Sequence, residues 1–496
     1  MSKFVKTGLM LLVVTVLMAP RVQAQAPAAS GSVDPSIVKL MESISEERLQ
    51  QLLEKLVSFG TRNTLSDATS TTRGIGAARQ WIYDELKRTS PKLQVSFDMH
   101  QIPARGRITR DVELRNVMAI LPGKTPRRIY VSGHYDSVNL GARGQEATNA
   151  GGARRASSAQ GAPGAVGGAP GAGQTRPGAA PQAPGEPAAP VDPQTRRNQN
   201  YNIDAPGAND DGSGTVLSME LARVFANSGI EFDATLVFMT VAGEEQGLIG
   251  SGAHAKAAKE QNLPVQAWFN NDIVGNSRGG DGSFDGSSIR IYSEGPEDSP
   301  SRSLAQFAAR IGAMYVPSHR VRLMARSDRF SRGGDHSALN AQGFAAIGFR
   351  ESKENYAKQH GPNDTIDGVD FRYLAQDARV NAAAMATLAL APPPPVVVRK
   401  AANSQRLTPT IDRRPSGYDA HLRWEASPGA AGYRIFWRNA WAPDWQHEMT
   451  VGNVTEFTFP KMNIDDWVFG VAAVDAAGHE STVSVYVAPP RSDGGA

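Results

Sequence analysis

From Asp34 to Arg62, apolar residues fall at Ile37, Leu40, Met41, Ile44, Leu49, Leu52, Leu53 and Leu56, close to the 3.6-residue repeat of an amphipathic helix. Asp34 is placed to cap that helix and Pro35 suits its first turn. A second amphipathic helix is predicted over Ile75–Leu86. Four short apolar runs with β-branched or aromatic content follow, at Val112–Leu121, Arg128–Ser132, Ala234–Val241 and Ala267–Ile273, and read as strands. Helical patterns over Thr215–Phe225 and Leu248–Lys259 separate the last three. Strands alternating with helices predict an α/β domain, a mostly parallel buried sheet flanked by helices.

Two segments depart from that pattern. Between Gly141 and Asn200, 35 of 60 residues are Gly, Ala or Pro, and Val166 and Val191 are the only large aliphatics. So little apolar surface cannot offset the entropy of ordering, so residues 141–202 are read as a disordered insertion in a domain spanning 35–392. Beyond Pro393–Pro395 the texture changes to short alternating strands, at Leu422–Trp424, Tyr433–Phe436 and Val468–Val474. Their spacing predicts a C-terminal all-β sandwich.

At 496 residues the chain is long enough for two or three domains. Lys3 and Lys6 precede an apolar run from Gly8 to Met18, and Val22-Gln23-Ala24 offers small residues where a signal peptidase cleaves. Residues 1–24 are therefore expected to be a signal peptide. The run is shorter than the roughly 20 residues of a spanning helix, so no membrane span is expected. The location implied is periplasmic or secreted. Cysteine is absent, which excludes disulfides, thiolate metal ligands and a cysteine nucleophile, and fits a bacterial exported protein. A net charge of +3 demands neither nucleic acid nor an anionic membrane as partner.

Candidate chemistry clusters where the predicted strands end. His134-Tyr135-Asp136 directly follows the strand ending at Ser132, and alternation turns His134 and Asp136 to one side. Asn209-Asp210-Asp211-Gly212-Ser213-Gly214 opens a predicted helix, where one Asp would serve as a cap; two adjacent ones among glycines exceed what capping requires. Calcium loops share that look. Glu244 and Glu245 leave the strand ending at Val241 and repel each other unless a cation, a proton or solvent intervenes. Asp272 interrupts an apolar strand and should be paired or metal-bound. His360 lies in a turn-rich segment able to fold back over the sheet. Open α/β sheets bind ligands at the carboxyl ends of their strands, where four of these five elements fall. Two His with three carboxylates suit two Zn²⁺ ions, with Mn²⁺ or Co²⁺ as alternatives.

Gly133-His134-Tyr135-Asp136-Ser137, Gly207–Gly214, Gly243–Ser251, Asn271–Gly275 and His360–Thr365 together resemble the successive motifs of the M28 zinc peptidases, over residues 35–392. The resemblance implies a zinc-dependent exopeptidase fold and two zinc ions per chain. It also implies that His134 and Asp272 bind one zinc, Glu245 and His360 the other, that Asp210 bridges them, that Glu244 is the general base, and that Asp136 supports the ligands from behind. The expected activity is release of N-terminal residues from peptides or proteins. Where many members have Tyr before the last His, this chain has Gln359, with Tyr356 three residues earlier, which puts the oxyanion donor in question. Residues 396–490 resemble a fibronectin type III domain, a candidate binder of protein or polysaccharide. The alternatives are a carboxypeptidase or glutaminyl cyclase on the same fold, or a non-catalytic binding protein.

Overall fold

The computed structural model describes residues 33–140, 201–296, 298–330, 332–402 and 406–487. The expected signal peptide and residues 141–200 of the expected insertion lie outside them. Tyr201 and Asn202, which the sequence reading places in the insertion, are instead held on the domain. Tyr201 OH and Thr109 Oγ1 are 2.7 Å apart, Arg110 lies over the Tyr201 ring, and Arg73 Nη2 donates to Asn202 O at 2.8 Å. An aromatic ring supplies the anchor that the Gly/Ala/Pro run before it lacks.

The single helix expected over 34–62 is two, α1 (Pro35–Glu42) and α2 (Glu46–Val57). Asp34 caps α1 by accepting from Ser36 N at 2.7 Å, and Ser45 caps α2 by accepting from Arg48 N at 3.1 Å. With Glu46 and Glu47 in the first turn, Ser45 makes a better helix start than a helix interior. Ile44 stays buried across the break, so the apolar stripe continues although the helix does not. Helix α3 (Gly74–Thr89) contains the predicted Ile75–Leu86.

Eight strands follow: β1 (Gln94–Ile102), β2 (Val112–Leu121), β3 (Thr125–His134), β4 (Ala234–Val241), β5 (Val265–Asn271), β6 (Ser288–Ser293), β7 (Arg320–Met324) and β8 (Ala346–Glu351). They form one sheet in the order β1-β2-β4-β3-β5-β8-β6-β7. The central four, β4-β3-β5-β8, are mutually parallel; β2 and β6 pair antiparallel at their two edges, β1 is antiparallel to β2, and β7 is parallel to β6. The mostly parallel sheet is as expected, but β1, β6, β7 and β8 went unread. β1 is polar and half-exposed at an edge, β7 is short and rich in arginine, and β8 ends in Arg350-Glu351.

Helices α4 (Gly214–Asn227), α5 (Ile249–Glu260), α6 (Pro300–Tyr315), α7 (Asp335–Asn340) and α8 (Phe371–Leu390) complete the layers. Alternate residues of the sheet bury two separate cores. Ile129, Val131, Leu236, Phe238 and Phe269 face α1–α4, α6 and α8. Tyr130, Val237, Met239 and Trp268 face α5 and α7 on the other side. Among the described residues no helix is long and apolar enough to cross a membrane.

The C-terminal region is antiparallel throughout: β9 (Arg399–Ala402) with β10 (Arg406–Pro409), β11 (Ala420–Arg423) with β14 (Glu456–Phe459), and a sheet β13-β12-β15-β16. The last comprises β12 (Gly432–Asn439), β13 (His447–Val451), β15 (Trp467–Val474) and β16 (Ser484–Val485). Leu422, Trp424, Tyr433, Ile435, Phe469 and Val471 form its own core. It is fastened to the α/β layer by charges. Arg310 of α6 pairs with Glu480, Arg434 lies 3.0 Å from the same carboxylate, and His479 sits between Asp475 and Asp34 at 2.7 and 2.8 Å.

Replacing Ser45 by Ala removes the α2 cap and should lower stability by about 1 kcal/mol, read as a lower urea midpoint at unchanged slope. An unchanged midpoint would mean that the break before α2 is set by packing alone.

Candidate metal centre

Parallel register brings three strand ends level. His134 of β3 pairs with Val241 of β4, and Ser132 of β3 pairs with Asn270 of β5. His134, the Glu244-Glu245 turn and Asp272 therefore emerge side by side. Asp210 joins them from the turn before α4, a turn that can lie so close only because its neighbours lack side chains. A Cβ on Gly214 would stand 2.1 Å from Asn271 O, and one on Gly133 would meet Gly214 itself.

Asp211, left open as a cap by sequence, proves to be the knot of this arrangement. Its carboxylate accepts from the N–H groups of His134 (2.9 Å), Gly214 (2.9 Å) and Ile273 (3.1 Å). One side chain thus ties the ends of β3 and β5 to the start of α4. Asp364 does the same for the Asp210 turn, accepting from the N–H groups of Asn209 and Asp210, each at 2.9 Å. Beneath both runs Arg62, fully buried, which donates to the carbonyls of Tyr135, Pro206 and Gly207.

The five predicted ligands converge on two groups that share Asp210. In the first, His134 Nε2 lies 3.3 Å from Asp210 Oδ1 and 3.7 Å from Asp272 Oδ1. In the second, His360 Nε2 lies 3.0 Å from Asp210 Oδ2 and 3.4 Å from Glu245 Oε2. Glu244 stands beside the first group, 3.9 Å from His134 Nε2. Asp136 lies behind the group and reaches the Glu244-Glu245 turn rather than the His134 ring. The His134 Nδ1 atom is closer to the Asp136 backbone oxygen (3.1 Å) than to its carboxylate (3.6 Å). That carboxylate instead accepts from Glu244 N (3.2 Å), Glu245 N (3.3 Å) and Thr64 Oγ1 (3.1 Å), holding the acidic turn in place. Gln359 does not face the group; its amide donates to Glu354 at 3.3 Å, and Tyr356 is exposed beneath Arg332.

Sequence reading missed Arg350, which clamps Asp272 with both terminal guanidinium nitrogens, Nη1 and Nη2, and Glu351, which accepts from Asn209 Nδ2 and Asn276 N, each at 2.8 Å. A signal existed: two charges ending the apolar run Ala346–Phe349, the reasoning already applied to Asp272. Asp335 at the start of α7 was also missed. It is buried, and neither of its oxygens has a well-aligned donor although Ser251 is near.

So many buried carboxylates perturb one another. Burial raises Glu244 well above the usual carboxylate range, with His134 opposing and Asp272 and Asp335 adding to the rise. Glu245 is raised by burial and by Asp210 and Glu244. Burial opposes charge on His134, yet Glu244 and the surrounding aspartates prevail and raise it. Asp272 is lowered despite burial, chiefly by Arg350. Burial pushes Asp335 and Asp364 up to about 7, and pushes Arg62 down to about 10. Asp210 Oδ2 and Glu245 Oε1 are buried without a well-aligned donor although His360 is near. Bare lone pairs on neighbouring residues of one group are what a cation among them would satisfy. Two imidazoles with carboxylates fit zinc better than a hard cation such as calcium.

A parallel sheet with ligand groups of this composition at its carboxyl edge defines a metal-dependent hydrolase. The model of peptidase family M28 matches residues 191–385. A protein of Pyricularia oryzae named probable zinc metalloprotease is 33% identical over 95% of this chain and 86% of its own length. One of the same name from Leptosphaeria maculans is 33% identical over 92% of this chain and 97% of its own. The chain belongs to peptidase family M28, and it is a zinc metallopeptidase acting on peptides. Its fold is similar to that of LapA of Legionella pneumophila, with a TM-score of 0.50 at 17% identity, covering 72% of this chain and 78% of that one.

Because Asp335 and Asp364 are held up to about 7, the metal-free native state binds more protons than the unfolded chain above the ordinary carboxylate range. Its stability therefore falls as pH rises through that window. Zinc bound to the native state displaces protons and opposes the fall. The gap in unfolding temperature between zinc-loaded and chelated protein should widen from about pH 5 to about pH 7. A gap that narrows over this range would rule out proton release from these buried carboxylates as the link between zinc and stability.

Proposed function

We propose that this zinc metallopeptidase is an exported aminopeptidase working with two zinc ions. The observation that carries the reading is the Asp210 carboxylate. Its two oxygens face two different histidines, so one side chain can be shared between two cations, with Asp272 completing one group and Glu245 the other. Bound zinc supplies a Lewis acid for the scissile carbonyl and lowers the pKa of water.

Glu244 belongs to neither ligand group and is the general base. Burial keeps its carboxylate more basic than usual, which suits it to take the proton of the attacking water and hand it to the leaving amine. Asp136 positions Glu244 and Glu245 through their backbone N–H groups. The excess of carboxylate over cationic side chains favours a substrate that brings a free α-ammonium, which is the basis for the aminopeptidase direction. Gln359 is engaged by Glu354, so it would have to turn before donating to an oxyanion. The basic start and apolar run before Ala24 support export to the periplasm or medium. The antiparallel C-terminal strands support a fibronectin type III-like tail.

Metal analysis should give about two zinc ions per chain. A value near one would favour glutaminyl cyclisation. Glu244→Gln should keep metal content and fold but lose at least about a hundredfold in kcat, in line with loss of a general base. Near-normal turnover would remove Glu244 from that role. N-acetylation of a peptide substrate should abolish cleavage, and cleavage that persists would sink the aminopeptidase direction.

A further inference from the structure

A groove of about 590 Å³ lies on the α3 side of the sheet, apart from the metal ligands. Its volume is in the range of small-molecule and peptide sites. The floor is aromatic: Phe59 and Trp81, with ring centroids 5.9 Å apart. The walls are cationic, formed by Lys55, Arg79, Arg88 and Arg115. Asp84 is the one acidic residue lining it, and it accepts from Gln80 at 3.1 Å.

Two of the cations are already paired, Arg88 with Glu85 and Arg115 with Glu113. Lys55 rests over the Phe59 ring, 4.8 Å from its centroid. Arg79 differs from all of these. Its guanidinium is half-buried and makes no hydrogen bond or ion pair with a described residue; Tyr135 and Glu113 attract it without pairing, while Arg115 repels it. A partly desolvated arginine held only by such longer-range attraction gains from a carboxylate that pairs with it directly.

The groove opens at the same end of the sheet as the metal centre. Val117 of β2 lies opposite Thr240 of β4, so Arg115 is level with Ala242, just before the Glu244-Glu245 turn. The Arg115 carbonyl accepts from Tyr135 OH at 2.7 Å, next to His134. The loop bordering the groove at Thr69–Thr71 also carries Thr64, which holds Asp136.

We propose that this groove binds acidic residues in the downstream part of peptide substrates, making the enzyme selective for peptides whose tails carry carboxylates. The inference rests on the peptidase reading of the metal centre. Arg79 supplies the fork that a carboxylate pairs with, Lys55 adds a second charge, and the aromatic floor takes the intervening side chains.

Zinc-loaded full-length protein would be given two peptides with the same free N-terminal residues, one with a glutamate tail and the other with a glutamine tail. The glutamate peptide should show kcat/KM roughly fivefold higher, chiefly through KM, as expected of one or two partly exposed charge pairs, and the advantage should shrink with added salt. Arg79→Gln should bring the ratio near one while hydrolysis of a dipeptide, too short to reach the groove, is unchanged. Lys55→Glu with Arg79→Glu should reverse the preference toward lysine tails. Equal use of both peptides by the wild type, or a preference that survives both variants, overturns the proposal. Failure of the dipeptide itself to be cleaved strikes instead at the aminopeptidase reading. In that case the groove is tested by anisotropy of an N-acetylated, labelled glutamate peptide, whose binding should weaken in Arg79→Gln. Binding of a sulfated polysaccharide in preference to that peptide also overturns it.

Discussion

Mutual repulsion among buried carboxylates is the constraint around which this molecule is built. Asp136, Asp210, Asp211, Asp272, Asp335, Glu245, Glu351 and Asp364 are all buried at one edge of one sheet. In water-excluded surroundings such a set would force the strand ends apart or take up protons. The fold answers with fixed partners of three kinds. Backbone N–H groups serve Asp211, Asp136 and Asp364, Arg62 lies beneath, and Arg350 clamps Asp272. Oxygens without an aligned donor remain on Asp210, Glu245, Asp335 and Glu351, and that of Asp210 is one His360 approaches. The same interactions that make the acidic edge tolerable therefore also aim its ligands.

That division explains what could be read from the chain and what could not. Candidate ligands sit in short local motifs just past apolar strands, so position pointed to His134, to the Asp210-Asp211 and Glu244-Glu245 pairs and to Asp272, while the choice within each pair, and His360, came from the family resemblance. Their supports come from distant sequence. Arg62 reaches across from the loop after α2, and Arg350 from β8, a strand hidden by its own charged end. Asp211 looked like a helix cap because it partly is one; its bonds to His134 and Ile273 exist only once β3 and β5 are parallel neighbours. Gln359 stood out as a departure from the motif, but its partner Glu354 depends on how the segment after β8 folds back.

The fold was legible in its centre and obscure at its edges for a related reason. Central strands are buried on both faces and read as unbroken apolar runs. Edge strands need only one apolar face, so β1 and β7 carry polar and basic residues that mask them. The break between α1 and α2 was invisible to periodicity because Ile44 keeps the stripe intact, and Ser45 alone announces it. The attachment of the C-terminal sheets is likewise a matter of partners rather than pattern, since Arg310, Glu480, His479 and Asp34 come from four separate stretches.

The two ligand groups are unequal in one further way. His134, Asp210 and Asp272 are buried on strand ends or the turn packed against them, whereas His360 is 42% exposed on a loop and adopts a left-handed backbone conformation, φ 54°. Exchange of any cation with the medium is therefore easiest on the His360 side, by movement of a single loop residue that leaves the sheet untouched. The sheet side of the site, tied by Asp211 and Arg62, can thus keep its shape while the His360 side opens and closes.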